Sequence, residues 1–295
     1  MASRANISGL WLALMALGAS GSVSANVNVI GYWEPIYHED FDERLPGPDV
    51  GDYAGLPITD AARLRADTWD ASLLSLPEHQ CKPHPSTYGF RGVGTLRVSE
   101  DRDPETQQVI AIETHIAWQA QHRYIWMDGR KPPPEAAPHT WQGFSVGHYE
   151  GNDLVVQTSN LKAGWVRRNG LPLTDRATMV DRFIRHGDLM THVMIVSDPV
   201  YLSEPLVKSN GFRYADNGTM IPYPCRPALE IPRPKGTVPH HPWSEHDAHT
   251  ASKEFATRHG LPLEAPEGGA QTQLPEFAQH LKNNPPPKSP QAAGK

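Results

Sequence analysis

Hydrophobic and polar positions along the chain fall into three textures. Between residues 82 and 232, short runs rich in Val, Ile, Thr and aromatics alternate in part with polar residues. They are VIAIETHIAW (109–118), HRYIWMD (122–128), TWQGFSVGHYE (140–150), DLVVQTS (153–159), TMVDRFIRH (178–186), LMTHVMIVS (189–197), VKSNGFRYA (207–215) and TMIPYP (219–224). Runs of this length and content predict strands. The breaks carry turn chemistry at Gly151-Asn152-Asp153, His186-Gly187-Asp188 and Asp216-Asn217-Gly218. The Asn217-Gly218 pair between two such runs is a hairpin signal. No long amphipathic helix alternates with the strands, which argues against a parallel α/β sheet. The expected fold is therefore mainly β: an antiparallel meander closing into a lipocalin-like barrel or a two-sheet sandwich. Either closure hides the strand edges.

The flanks read differently. Residues 26–80 form an irregular N-terminal region with a helical patch over 59–76. Thr59 or Asp60 would cap it, Leu64, Trp69, Leu73 and Leu76 would share a face, and Pro77 would end it. After the β domain (81–232) comes a His- and Pro-rich extension, 233–260, with a short helix over 251–259. The tail, 261–295, is Pro-rich and is expected to be disordered. At the other end, Arg4 precedes an apolar run at 9–21 (GLWLALMALGASG) and the small residues Val23-Ser24-Ala25. This is the layout of a secretory signal peptide, residues 1–25, cleaved after Ala25; a buried N-terminal helix is the alternative. The run is too short to span a bilayer, which takes roughly 20 apolar residues. The expected destination is the periplasm or the exterior, with no membrane span in the mature chain.

Composition narrows the partners. Lys and Arg number 27 against 33 Asp and Glu, a formal charge of −6. Nucleic-acid binders carry a basic surplus, so none is expected here. Hydrophobics at 38% permit a core, while 29 Pro and 24 Gly make the chain loop-rich. There are two cysteines, Cys81 and Cys225. Export permits one disulfide between them; two buried free thiols are the alternative. A loop of about 145 residues would give roughly 4–5 kcal/mol at most in the chain-entropy picture.

One stretch carries a resemblance. HRYIWMDGR followed by HTWQGFSVGHYEGNDLVVQTSNL, with Ile195-Val196-Ser197-Asp198-Pro199 and Tyr223-Pro224-Cys225 later, resembles a family of exported bacterial proteins. That family shares an "MDGR" turn, a W-x-G-x-S-x-G hairpin ending in L-V-V-x-T, and a strand ending in a D-P pair. The likeness covers roughly residues 80–242. Here the turn acid comes later, at Asp153 after Asn152. The resemblance implies export and a β-rich domain. It implies no activity and assigns no catalytic residue.

Three constellations can carry chemistry. His115, His122, His148, Glu150 and Asp175 are strand or loop ionisable groups. Placed in a cavity, a His beside a carboxylate would serve a hydratase, isomerase or lyase; otherwise they are solvent-facing polar residues. Gly143-Phe144-Ser145-Val146-Gly147 has the letters of a nucleophile elbow but lies in a strand pattern. Trp141, Tyr149, Trp165, Arg167 and Arg168 suit a ring or an anion by stacking and bidentate hydrogen bonds; the bland reading is a loop anchored by a buried Trp. His240, His241, His246 and His249 offer imidazoles to Zn or Cu, though their spacing matches no standard zinc pattern. The leading functional expectation is a binding protein for a small, partly apolar molecule held in the β domain. A cavity enzyme and a metal binder are the alternatives.

Overall fold

A computed structural model of the chain describes residues 28–37, 41–44, 47–69, 79, 81–118, 121–223, 225–226 and 251–285. Nine strands close into a barrel: β1 (Gly31–Ile36), β2 (Leu96–Arg102), β3 (Val109–Ile116), β4 (Gln121–Trp126), β5 (Phe144–Glu150), β6 (Asp153–Ser159), β9 (Thr178–His186), β10 (Leu189–Ser197) and β11 (Leu206–Tyr214). Between β6 and β9 a small two-stranded sheet forms from β7 (Gly164–Trp165) and β8 (Pro172–Leu173). Of the two closures expected, the barrel is the one found.

Period-two alternation places one face of each strand inside. On β9, Met179, Asp181 and Phe183 are buried; on β10, Met190, His192, Met194 and Val196 are. The interior has a layered chemistry. One apolar cluster gathers Met179, Met194, Val196 and Leu206 with Tyr53, Leu161 and Leu171 from outside the barrel strands. A second gathers Trp33, Leu96, Ile125, Leu154, Phe183, Met190 and Phe212. Between them on β9 and β10 sit Asp181 and His192, so a polar layer crosses a barrel that is otherwise hydrophobic.

Closure depends on β1. Its first half pairs with β2 (Gly31↔Val98, Trp33↔Leu96) and its second half with β11 (Trp33↔Tyr214, Ile36↔Gly211). The hydrophobic pattern predicts neither β1 nor β2. β1 carries Pro35, which reads as a strand breaker, and β2 turns charged at Glu100-Asp101-Arg102. The antiparallel meander also has one exception. β4 and β5 run parallel and pair over only Ile125↔Ser145 and Trp126↔Val146, because residues 127–143 cross back over the barrel wall.

Further differences are local. Residues 219–223 form no strand, so Asn217-Gly218 is not a hairpin. Gly218 instead packs against the Tyr32 ring, which leaves no room for a Cβ. In the helical patch, α2 (Asp60–Asp67) follows α1 (Phe41–Arg44), and Thr59 Oγ1 accepts the Ala62 amide at 3.2 Å. Its buried face is Ala62 and Ala66, while Leu64 is 55% exposed. Residues 70–78 lie outside the described chain, as do residues 1–25. After α3 (Ser86–Gly89), α4 (Ala251–His259) occupies the expected span. The tail differs from expectation over 261–285: it carries a 3-10 turn at Ala270–Gln273 and α5 (Pro275–Asn283), started by Pro275.

Cys81 and Cys225 form a disulfide, with Cα atoms 5.4 Å apart. It ties the segment that leads into α3 to the chain leaving β11. The four residues of α3 are all buried, and the next residue, Phe90, packs its ring tilted on His192 at 4.3 Å and edge-to-face on Phe183 at 5.7 Å. The barrel mouth is therefore stopped by its own chain.

Candidate functional site

The lumen is filled. Arg123 on β4 is 3% exposed, and Asp181 and His192 are fully buried. Arg123 Nη2 donates to Asp181 Oδ2 and to Thr158 Oγ1, both at 2.6 Å, and its Nε donates to Ser145 Oγ at 2.9 Å. His192 Nε2 meets Asp181 Oδ1 at 2.7 Å, and its Nδ1 lies 3.1 Å from Asn210 Nδ2. Burial pushes the Asp181 carboxyl up. The Arg123 guanidinium and the His192 contact outweigh it and hold the group below the usual carboxylate range. The Ser and Thr of the W-x-G-x-S…V-V-x-T motif are thus Ser145 and Thr158, partners of a buried arginine. Their neighbour Gly147 faces inward, where a Cβ would lie 2.7 Å from Ile125 and Met127. The void beside this layer measures about 10 Å³, whereas small-molecule pockets run to roughly 300–1,000 Å³. That void is about the size of one water molecule, too small to hold a whole guest of the kind expected from the sequence.

A space of the right size lies on the outer wall. Where the β4–β5 ladder stops, a groove of about 420 Å³ opens between β4 and the turn before β5. Pro83, Gln121, His122, Tyr124, Trp126, Thr140, Trp141, Gln142, Gly143 and Phe144 line it. The outward residues of β4, at positions 122, 124 and 126, form one side. Tyr124 and Trp126 stack at 6.2 Å and 22°. Thr140 starts the other side, bridged to Leu161. Gly143 then turns the chain at φ +68, where a Cβ would strike the Ser159 carbonyl at 2.6 Å. That turn sets Trp141 against Trp165 at 5.8 Å.

The rim is cationic. Lys82 lies 5.1 Å over Trp141 and 5.2 Å over Trp165, and Lys162 lies 5.6 Å over Trp141. Burial pulls the Lys82 ammonium down. The "MDGR" turn supplies a third cation. Asp128 Oδ1 accepts the Arg130 amide at 3.1 Å and holds its guanidinium, 3.5 Å over the Trp126 ring. Among the described residues, no carboxylate lines the groove.

The structure brings some predicted residues together and separates others. His115 and His122 stack at 3.8 Å on the outer wall, and His122 Nδ1 bonds Glu113 Oε1. Burial, with His122 and Arg97 beside it, lowers His115 to about 4, so it is neutral at pH 7. His148 bonds Glu150 at 3.1 Å, and Arg182 also binds that carboxylate. By the β4–β5 register, His148 lies six residues beyond the position opposite His122, about 20 Å along the strand. Asp175 is exposed in the turn after β8 and joins neither pair. The five residues therefore do not form one catalytic centre. Trp141 is in the groove and Trp165 backs it. Tyr149 faces the barrel interior, packed on its second apolar cluster. Arg167 is 4% exposed and donates to the Asp52 carbonyl, so it braces a loop. Arg168 covers Trp118 at 5.0 Å. His240, His241, His246 and His249 lie outside the described residues. Among the described residues, no three metal-ligating side chains converge.

His84 is a separate feature with a measurable consequence. It is buried against Tyr88, Trp118 and Trp165, and neither ring nitrogen has a hydrogen-bond partner among the described residues. Burial, and secondarily Arg168, lowers it to about 3. The unfolded chain binds that proton near pH 6.5 and the folded chain does not. Stability is therefore lost as pH falls from about 6.5 toward 3, at up to about 1.4 kcal/mol per pH unit from this group. Urea midpoints at pH 7 and pH 4.5 will show this loss. His84→Phe, which keeps the ring packing, will reduce it.

No family model, no curated protein and no solved structure matches the chain. No helix among the described residues is long and apolar enough to cross a membrane.

Proposed function

We propose that this chain is an exported binding protein that holds a small, ring-bearing, partly apolar molecule in the groove outside the barrel. The carrying observation is the groove itself: its volume suits a small ligand, and Tyr124, Trp126, Trp141 and Phe144 offer faces for stacking. Gln121, Thr140, Gln142 and His122 add hydrogen-bonding groups to orient it. An aryl glycoside has the matching chemistry, one apolar ring joined to one hydroxyl-rich ring. The signal-like N-terminus and the disulfide support an oxidising destination.

The test is calorimetric titration of the protein with phenyl β-D-glucoside. Trp141→Ala removes one stacking face, worth about 0.5–1.5 kcal/mol, so affinity will fall roughly two- to tenfold. An unchanged affinity removes Trp141 from the site. A second reading rests on the Glu113–His122 pair at the groove's edge, an acid–base couple within reach of a bound molecule. It predicts that phenyl β-D-glucoside or a related probe is turned over, and that His122→Gln stops turnover while binding persists.

A further inference from the structure

Behind the groove lies the small void beside the polar layer. Ser86, Gly89, Phe90, Leu96, Thr114, Ile116, Gln121, Arg123 and Gln142 bound it. Gln121 and Gln142 line both spaces, so they are the partition between them. The partition is held by neutral hydrogen bonds: Gln142 Nε2 donates to the His84 carbonyl at 2.8 Å and to Gln121 Oε1 at 3.3 Å, and Gln121 Nε2 donates to the Trp118 carbonyl at 3.3 Å. Each contributes about 1 kcal/mol, so the side chains can swing aside at modest cost.

Two polar atoms on the far side have no partner among the described residues: Arg123 Nη1 and Ser86 Oγ. Arg123 is 3% exposed and Ser86 1%. Asp181 and Thr158 take Nη2, and Ser145 takes Nε, so Nη1 is the edge of the guanidinium left to donate. A buried donor without an acceptor is costly, which favours an oxygen at that place. The void has room for about one water-sized atom, and one carboxylate oxygen is of that size. Among the described residues no carboxylate lines either space; at the groove's edge Glu113 is bonded to His122 and Asp128 to Arg130, while Lys82 and Lys162 sit over the Trp141 ring.

Resting on the groove reading, we propose that the ligand is acidic. Its ring lies on Trp126 and Trp141, and its carboxylate passes between Gln121 and Gln142. One oxygen then accepts from Arg123 Nη1 and Ser86 Oγ. The ligand class is a ring-bearing carboxylic acid of the aryl glucuronide kind.

The probes are phenyl β-D-glucuronide and phenyl β-D-glucoside, which differ by a carboxylate. We expect the glucuronide to bind at least tenfold more tightly. Ser86→Ala and Arg123→Lys, which keeps the charge beside Asp181 but loses the forked donor, will each reduce that ratio substantially. If Arg123→Lys does not fold, as judged by circular dichroism, Ser86→Ala decides. A ratio near one in the unaltered protein overturns the proposal and leaves the groove reading standing. A ratio that survives both substitutions also overturns it, since the rim lysines would then be reading the charge. Binding of neither probe removes the groove reading and this inference with it.

Discussion

Replacing Asp181 by Asn will destabilise the protein by about 3–5 kcal/mol, because it leaves Arg123 as a buried charge without a counter-charge. The new amide could still accept one hydrogen bond from the guanidinium. It could not cancel the charge, and the other groups bonded to the guanidinium, Ser145 and Thr158, are neutral hydroxyls. The double substitution Asp181→Leu with Arg123→Met behaves differently. It removes both charges together, which is often neutral in itself, and leaves the His192 Nε2 without its acceptor, so the loss will be smaller, about 1–3 kcal/mol. Urea unfolding of the single and double variants separates the two effects. A single-variant loss below about 1 kcal/mol would mean that water reaches the polar layer. The same layer makes an acid limb: Asp181 is held low in the fold, so its contribution is present above the unfolded carboxyl pKa near 3.9 and is lost as pH falls through the lower folded value.

Removing the disulfide will have an effect of similar size. Cys81 and Cys225 are 144 residues apart, which puts the chain-entropy stabilisation near 5 kcal/mol, against a usual measured range of about 2–5 kcal/mol. We expect Cys81→Ser with Cys225→Ser to lower the urea midpoint accordingly, and dithiothreitol to do the same to the unaltered protein. The bridge holds the approach to α3, and Trp141 is tied to α3 through the Ser86 amide on its carbonyl at 3.0 Å. The double serine variant should therefore also loosen the groove. Unchanged stability with a reduced bridge would show that the fold does not rely on it.

Much of the barrel is legible in the sequence because its hairpins are local. The 178–197 pair reads directly: two alternating nine-residue strands flank Gly187, which adopts φ +59. The 144–159 pair reads the same way around Gly151 at φ +60. β1 is hidden by Pro35 and by its split pairing, half to β2 and half to β11. The β1–β11 contacts span more than a hundred residues and leave no local mark. The parallel β4–β5 seam is hidden for a related reason, since residues 127–143 look like any loop between neighbours.

The candidate site is legible only in part. The sequence marks Trp141 as a ring binder and His122 as a base, and both line the groove. Tyr124 and Trp126 carry a signal in their shared parity with His122, which puts three rings on one outer face of β4. His192 shares parity with Met190 and Met194, and a histidine on an apolar stripe marks a buried polar partner such as Asp181. The partition residues Gln121 and Gln142 have no such mark. They meet because a parallel seam ends where it does, and only the folded geometry contains that fact.

The most direct test of the groove follows indole N–H signals in a ¹⁵N-labelled sample while phenyl β-D-glucoside is added. Binding in the groove will move the signals of Trp126 and Trp141 on titration, while that of Trp33, sealed in the barrel with its Nε1 bonded to the Val29 carbonyl, stays in place. Movement at Trp33 with Trp126 and Trp141 unchanged would put the guest inside the barrel and contradict groove binding.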